Sequence, residues 1–401
     1  MHSPDEQALL AAVIAHPDED TPRLIYADWL DENADSLSGR DPKEVRARAE
    51  FIRAQIEMAR ISPTAPNVEA LRARIEKLEL WHGAQWREGG AEVFFRGFPI
   101  AVRLDYLSEI CGEAEWLLSR YPIQVLYANE AFIRDSDDKA AVASSRHFAR
   151  LTGLGSTGRG WDGDRVVTVL TNPHLANLRM LDLFGGGYNG TDGALGIAVA
   201  SHLTNLLVLE LAGNQIRDEG LEALASAEHL TSLRAFRLGK DNSGAANDIT
   251  EEGVQALARS PHFTSLTQLA LDGNEVGTKG IEHLLKAEWI SNLTELNLEN
   301  AWIGEAGLMT LAHSGKLTNL RRLDVSANEV TEAVARTFLR PETFPDLVEL
   351  HLISHHELEA SLTEKTQEAL RERFGPKVVG GWGISLTTVR IEDEIRRQMQ
   401  Q

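Results

Sequence analysis

Apolar residues recur through residues 175–352 with a period longer than one helix or strand needs. Units open at Leu175, Leu203, Leu230, Phe263, Ile290, Leu317 and Phe344, at spacings of 28, 27, 33, 27, 27 and 27 residues. Each opening carries L-x-x-L-x-x-L-x-L, as in LTNLLVLEL from Leu203, FTSLTQLAL from Phe263 and ISNLTELNL from Ile290. The closing alternation predicts one short strand with its leucines on a single face. Segments between the strands, such as DEGLEALASAEH and TKGIEHLLKAEW, have helical spacing and charged outer faces. Stacked units of one strand and one helix can bury their apolar faces only against each other.

This is the pattern of a leucine-rich repeat array. Its repeat length resembles the ribonuclease-inhibitor class, which implies an α/β solenoid with a parallel sheet on the concave face and helices on the convex face. Regular repeats are expected over residues 175–355. Counting back 27 residues from Leu175 reaches Phe148 in HFARLTGLG, and 27 more reaches Tyr121 in YPIQVLYAN, so degenerate repeats are expected over residues 121–174. The 33-residue spacing reflects an insertion around KDNSGAAND, placed to project beside a strand's C-terminal edge. Residues 356–401 read as a C-terminal cap and tail. Thr363 caps a helix stopped by Gly375-Pro376, VVGGWGISL offers an edge strand or cover, and RIEDEIRRQMQ reads as a polar terminal helix.

Residues 1–80 read as a helical domain. Ser3, Pro4 and Glu6 form a start signal before Leu9, Leu10, Val13 and Ile14, and His16-Pro17 stops that helix. Further helices are expected over residues 21–32, after Asp41-Pro42, and over residues 67–81. The stretches ALLAAVIAHPDEDTPRLIYADWLDENAD and AEFIRAQIE resemble the small N-terminal repeat-companion domain of planctomycete and related bacterial proteins, often found ahead of leucine-rich repeats. The resemblance implies architecture and a bacterial source, and it carries no activity to these residues. The intervening SLSGRDPKEVRARA is longer than that family's turn. Residues 81–120, with Trp81, Trp86, Phe94, Phe95 and Phe98, form an aromatic bridge and N-terminal cap, read as packing the helices onto the first repeat in preference to a ligand pocket.

Composition narrows the partner class. Sixty acidic residues against 40 Lys and Arg give a net charge of -20, which disfavours broad binding to nucleic acid or an anionic membrane. The lone Cys111 excludes an intramolecular disulfide framework. The opening MHSPDEQALL lacks a basic segment leading into an apolar run, and no apolar run approaches membrane-spanning length, so a cytoplasmic location is expected.

Asn214, Asn274 and Asn328 share one repeat position, with Asp241 substituting in another unit and Ala301 and His355 in two more. An inward amide there can satisfy the backbone of the bend. The positions flanking the inward leucines supply the candidate partner-binding face: Asp182, Glu210, Arg237, Asp272, Glu295, Asn297, Glu299, Arg322, Asp324, Glu349 and His351. Seven of the eleven are carboxylates, which favours a basic or mixed-charge protein surface as partner. Met180, Val208 and Phe184 add apolar contacts to that face.

Catalytic signals are weak. The glycine-rich GSTGRGWDG and FGGGYNGTDG match neither phosphate-loop nor dinucleotide patterns. His355-His356-Glu357 lacks metal-motif spacing, Cys111 has no nearby His in sequence, and no G-x-S-x-G occurs. His174, His202, His229 and His262 fall at one repeat phase, where turn packing accounts for them. The sequence therefore reads as a noncatalytic protein-interaction scaffold without cofactor or metal. A regulator or inhibitor of a partner enzyme is the first alternative, and an enzyme using the N-terminal domain the second.

Overall fold

A computed structural model describes residues 3–62, 64–87, 91–112, 115–130, 136–156, 161–185, 190–354 and 362–381. Among the described residues, those up to Ala128 and those from Asn129 form two compact units. The first contains α1 (Pro4–Ala15), α2 (Thr21–Asn33), α3 (Pro42–Arg60), α4 (Val68–Trp86), an antiparallel hairpin of β1 (Ala91–Phe95) and β2 (Phe98–Tyr106), and α5 (Glu115–Arg120). The chain passes from one unit to the other within β3 (Val125–Glu130).

The capping residues start α1 and α3 as their sequence requires: Ser3 Oγ accepts from the Glu6 amide at 3.2 Å, and the Asp41 carboxylate from the Lys43 amide at 2.9 Å. Glu6 does not reach back to complete a capping box. Its carboxylate is fully buried and accepts from Tyr26 Oη at 3.0 Å and Arg40 Nη1 at 2.8 Å, joining three segments around Leu10, Val13, Leu30 and Ile52. The second buried charge, Arg23, donates to the carbonyls of Pro17 and Glu19, each at 2.5 Å. Burial lowers its pKa to about 10, so it remains a cation at neutral pH. The RLIYADWL and EFIRAQ stretches thus carry contacts that hold helices together. Asp28 and Asp31 of α2 both accept from Arg53 of α3, and Gln55 Oε1 accepts from the Gly97 amide at 2.8 Å.

Gly97 occupies the β1–β2 turn at φ +83°, and a Cβ there would lie 2.5 Å from Ile52 Cα. Both the backbone conformation and the space demand glycine. Beside it, Phe51 meets Phe94 edge-on at 5.5 Å and Trp86 at 4.8 Å. The Arg48 guanidinium lies within 5.7 Å of the ring centres of Phe51, Trp86, Phe94 and Phe98. The chain's own cation fills the aromatic cluster. Trp81 stands apart, exposed on α4.

In the second unit, β4 (Gly153–Ser156), β5 (Met180–Asp182), β6 (Val208–Glu210), β7 (Ala235–Arg237), β8 (Gln268–Ala270), β9 (Glu295–Asn297), β10 (Arg322–Asp324) and β11 (Glu349–His351) pair in parallel and in chain order. They alternate with α7 (Gly163–Leu170), α8 (Gly190–Val199), α9 (Arg217–Ala225), α10 (Glu251–Arg259), α11 (Gly277–Leu284), α12 (Gly304–His313) and α13 (Glu332–Phe338), and α6 (Ser136–Ser144) precedes β4. Successive helices from α6 to α13 pack side by side. The central strand residues Leu154, Leu181, Leu209, Phe236, Leu269, Leu296, Leu323 and Leu350 align across the sheet and are buried throughout. This is a leucine-rich repeat solenoid, preceded by a helical unit. Before these, β3 starts in YPIQVLYAN, and β4 starts in HFARLTGLG.

The inward asparagines form a ladder between repeats. Asn274 Oδ1 accepts from the amides of Asn247 and Ile249 at 3.2 and 3.1 Å, while its Nδ2 donates to the Leu238 and Leu271 carbonyls. Asn214 and Asn328 repeat the donation to Leu183 and Leu298. The fourth amide belongs to Asn247 and not, as the sequence phase suggests, to Asp241. Asn247 is fully buried, donates to Leu211 and Leu238, and accepts from the amides of Asn214 and Ile216. The insertion loops out before the bend, and Asp241 instead closes that loop on Ser243 and Ala245. Ala301 leaves a rung empty, and the Asn274 amide turns back to Leu271 O at 3.3 Å.

A second ladder escaped the sequence reading. Asn177, Asn205, Asn292 and Asn319, each just before a strand, donate to the carbonyls of Ala149, Ala176, Thr264 and Ser291 one repeat earlier, with Ser232 donating likewise to Thr204.

At the C-terminal end, Glu332 accepts from the Thr363 amide and from the hydroxyls of Thr363 and Thr366, tying α14 (Glu364–Phe374) to α13. These bonds, the Thr366 hydroxyl first, draw its pKa down to about 2. Gly375 at φ +85° ends α14, and β13 (Val379–Gly381) pairs in parallel with β12 (Ile353–Ser354). His355-His356-Glu357, RIEDEIRRQMQ and parts of both glycine-rich stretches lie outside the described residues.

Two substitutions test these contacts. Asn247→Ala strands buried backbone groups on both sides of a bend and is expected to cost about 2–4 kcal/mol, measured as a shift of the urea midpoint. Gly97→Ala is expected to cost at least ~2 kcal/mol and to affect residues up to Ala128 first, as read by limited proteolysis.

Candidate partner-binding face

Residues flanking the inward leucines lie on the opposite face of the sheet. Strand register sorts them into rows. One row runs Met180, Val208, Ala235, Gln268, Glu295, Arg322, Glu349, and the next runs Asp182, Glu210, Arg237, Ala270, Asn297, Asp324, His351. Asp272 and Glu299 follow one residue beyond the next inward leucines. The sequence thus places all eleven candidates on neighbouring rows.

Their exposure is uneven. Asp182, Glu210, Arg237, Asp272, Asn297, Asp324 and His351 are 0–8% exposed, whereas Glu295, Glu299, Arg322 and Glu349 are half-buried. Met180 and Val208 are buried and Phe184 is half-buried. One local hydrogen bond recurs along the second row. Asp182 accepts from the Phe184 amide at 3.0 Å, Glu210 from Ala212 at 2.9 Å, Asn297 from Glu299 at 3.0 Å and Asp324 from Ser326 at 3.0 Å. Each bond ends a strand by holding the amide two residues on, the role that short polar side chains take in turns.

The half-buried candidates form ion pairs. Arg322 lies 3.3 Å from Glu295 and 3.0 Å from Glu349, and His351 Nε2 is 3.2 Å from the other Glu349 oxygen. Burial pulls the Glu349 pKa upward, but bonds from His351 and Arg322 outweigh it and hold the group below the usual carboxylate range. Lys240 Nζ sits 3.0 Å from Glu299. Asp272 accepts from Asn297 Nδ2 at 3.0 Å and from the Lys240 amide at 3.3 Å. The sequence reading missed Lys240, which the insertion hides from the repeat phase, and Gln268, whose Oε1 lies 3.5 Å from Arg237 Nη2.

Burial changes the charge of the row. It pushes the Glu210 carboxyl up to about 8 against the opposing pull of Arg237, whose Nη1 is 3.7 Å away. Burial likewise raises Asp182 and Asp272 to about 6 each. Burial thus favours the protonated form of these carboxyls, which makes the face less negative than its residue count implies. Burial lowers the pKa of the half-buried His202 and His229, which lie in turns away from this face. Among the described residues, no group of three or more His, Cys, Asp or Glu side chains is placed to hold a metal ion, and no helix is long and apolar enough to cross a membrane.

Residues 202–225, 262–285 and 290–312 match the family model described as Leucine Rich repeat. These stretches cover the β6–α9 and β8–α11 units and all but the last residue of β9–α12. No curated protein matches the chain. Among solved structures it is similar to a chain of the crystal structure of the Rad7 and Elc1 complex in yeast, at 12% identity and a TM-score of 0.38, over 91% of this chain and 96% of that one.

The Asp182 shift has a measurable sign. The folded chain holds this proton more tightly than the unfolded one, whose value is near 3.8, so the stability it contributes is complete below about pH 4 and is lost as pH rises through about 6. Asp182→Asn should remove that part of the pH dependence and raise stability by up to ~3 kcal/mol at pH 7, read from urea unfolding at several pH values.

Proposed function

We propose that the chain is a noncatalytic protein-interaction scaffold whose acidic strand face takes a basic or mixed-charge protein surface. The observation that carries this reading is the half-buried cluster of Glu295, Glu299, Arg322 and Glu349, where three carboxylates share Arg322 and Lys240. A partner's basic side chain can enter such a cluster without disturbing the leucines or the asparagine ladder. A solenoid suits this use because its face varies independently of its repeated core. The net charge of -20 favours a protein over a polyanion as partner, and the single Cys111 accords with a cytoplasmic location. The resemblance in residues 8–35 and 49–57 supports reading the N-terminal helices as a bacterial repeat-companion domain, and the repeat length supports the ribonuclease-inhibitor class.

Asp324 is a poor test position, since it is fully buried and its carboxylate holds both the amide and the hydroxyl of Ser326. Glu295→Lys with Glu299→Lys is the better test. For a partner captured from the source cell with the intact protein, affinity should fall at least about tenfold, more at low salt than at high, while unfolding stays cooperative. Unchanged affinity would place the contact elsewhere.

A further inference from the structure

Asp182, Glu210 and Arg237 occupy the same row on three consecutive strands and are each at least nine-tenths buried. Their hydrogen bonding is incomplete. Glu210 Oε1 accepts from Ala212, but Glu210 Oε2 and Arg237 Nε have no hydrogen-bond partner. The nearest approach between the two side chains, 3.7 Å, is too long for a hydrogen bond, and the Arg237 contact with Gln268 is at 3.5 Å. Charged groups packed this way are tolerated only while few of them are ionised, because one loosely held guanidinium cannot compensate two buried carboxylates.

We propose that the Glu210 carboxyl is a proton-dependent latch for β5, β6 and β7: with its proton the row stays closed, and once the proton leaves for solvent the face of these strands opens to water. The groups facing Glu210 are Asp182 from β5, Arg237 from β7 and, beyond β8, Asp272, which itself faces Lys240 and Glu299. Losing the proton puts two like charges on adjacent strands beside a single cation that Asp182 already draws on. Hydration is the remaining way to relieve them. Burial raises the proton affinity of Glu210 into the range where this happens near pH 8. Around β9 to β11 the fully buried Asp324 of the same row is held by both the amide and the hydroxyl of Ser326, and the half-buried Glu295 and Glu349 of the neighbouring row have Arg322 close by. That opening would also adjust partner binding rests on the scaffold reading above, whereas the opening itself does not.

Hydrogen exchange followed by mass spectrometry on the full chain reads the opening alone. After correction for the intrinsic pH dependence of exchange, protection of segments containing β5, β6 and β7 should fall at least about tenfold between pH 6.5 and 9, with β9 to β11 changing by less than about threefold. Glu210→Gln should abolish the difference. Asp182→Asn, which removes the like charge but keeps the shape, should shrink it and serves if the first variant folds poorly. A uniform response across all strands, or the full fall persisting in Glu210→Gln, would overturn the latch, and neither result would bear on whether Glu295 and Glu299 bind a partner.

Discussion

The asparagine ladder is the constraint on which the repeat array depends. Each unit must turn from strand to helix inside a stack, where the bend's amides and carbonyls are shut away from water and an unpaired group costs ~1–3 kcal/mol. Asn247 answers this on both sides at once, accepting from Asn214 and Ile216 and donating to Leu211 and Leu238. The same side chain that satisfies one bend thereby fixes the distance to the next. Leucines supply the apolar contact, but they are indifferent to small shifts in register. The ladder is not.

The two ladders divide the work along the unit. The inward asparagines hold the bend after the strand, and Asn177, Asn205, Asn292 and Asn319 hold the turn before it. A strand of three residues is pinned at both ends by side chains reaching into the adjoining repeat. This explains how such short strands keep eight-fold register without long backbone pairing. It also explains why the insertion before Asn247 is harmless: the loop leaves and returns ahead of the pinned position, so the ladder passes it by.

Legibility in the sequence followed periodicity. The repeat starts, the strand centres and the C-terminal helix could be read because leucine spacing, Thr363 and Gly375 act locally. Asn247 could not be placed, since six inserted residues shifted its phase and offered Asp241 as a plausible substitute. Glu6 looks in sequence like part of a helix start signal, because its partners Tyr26 and Arg40 are distant along the chain. The candidate face was legible as an alternation, but not as an environment. No local pattern separates Asp324, which is fully buried on Ser326, from Glu295, which is half open beside Arg322.

That separation bears on what the face can do. In a repeat array, residues that fold the chain and residues that meet a partner are usually distinct, which lets the surface vary freely. The second row breaks this division, because Asp182, Glu210 and Asp324 project from the sheet face while also closing the strand ends. The turn needs only an acceptor oxygen, which Asn297 supplies as an amide, so these carboxylates serve it whatever the partner's charge. The first row and Glu299 have no such duty. Whatever selectivity the face has is therefore written in Gln268, Glu295, Glu299, Arg322 and Glu349, where a changed side chain alters only the surface and the ion pairs upon it.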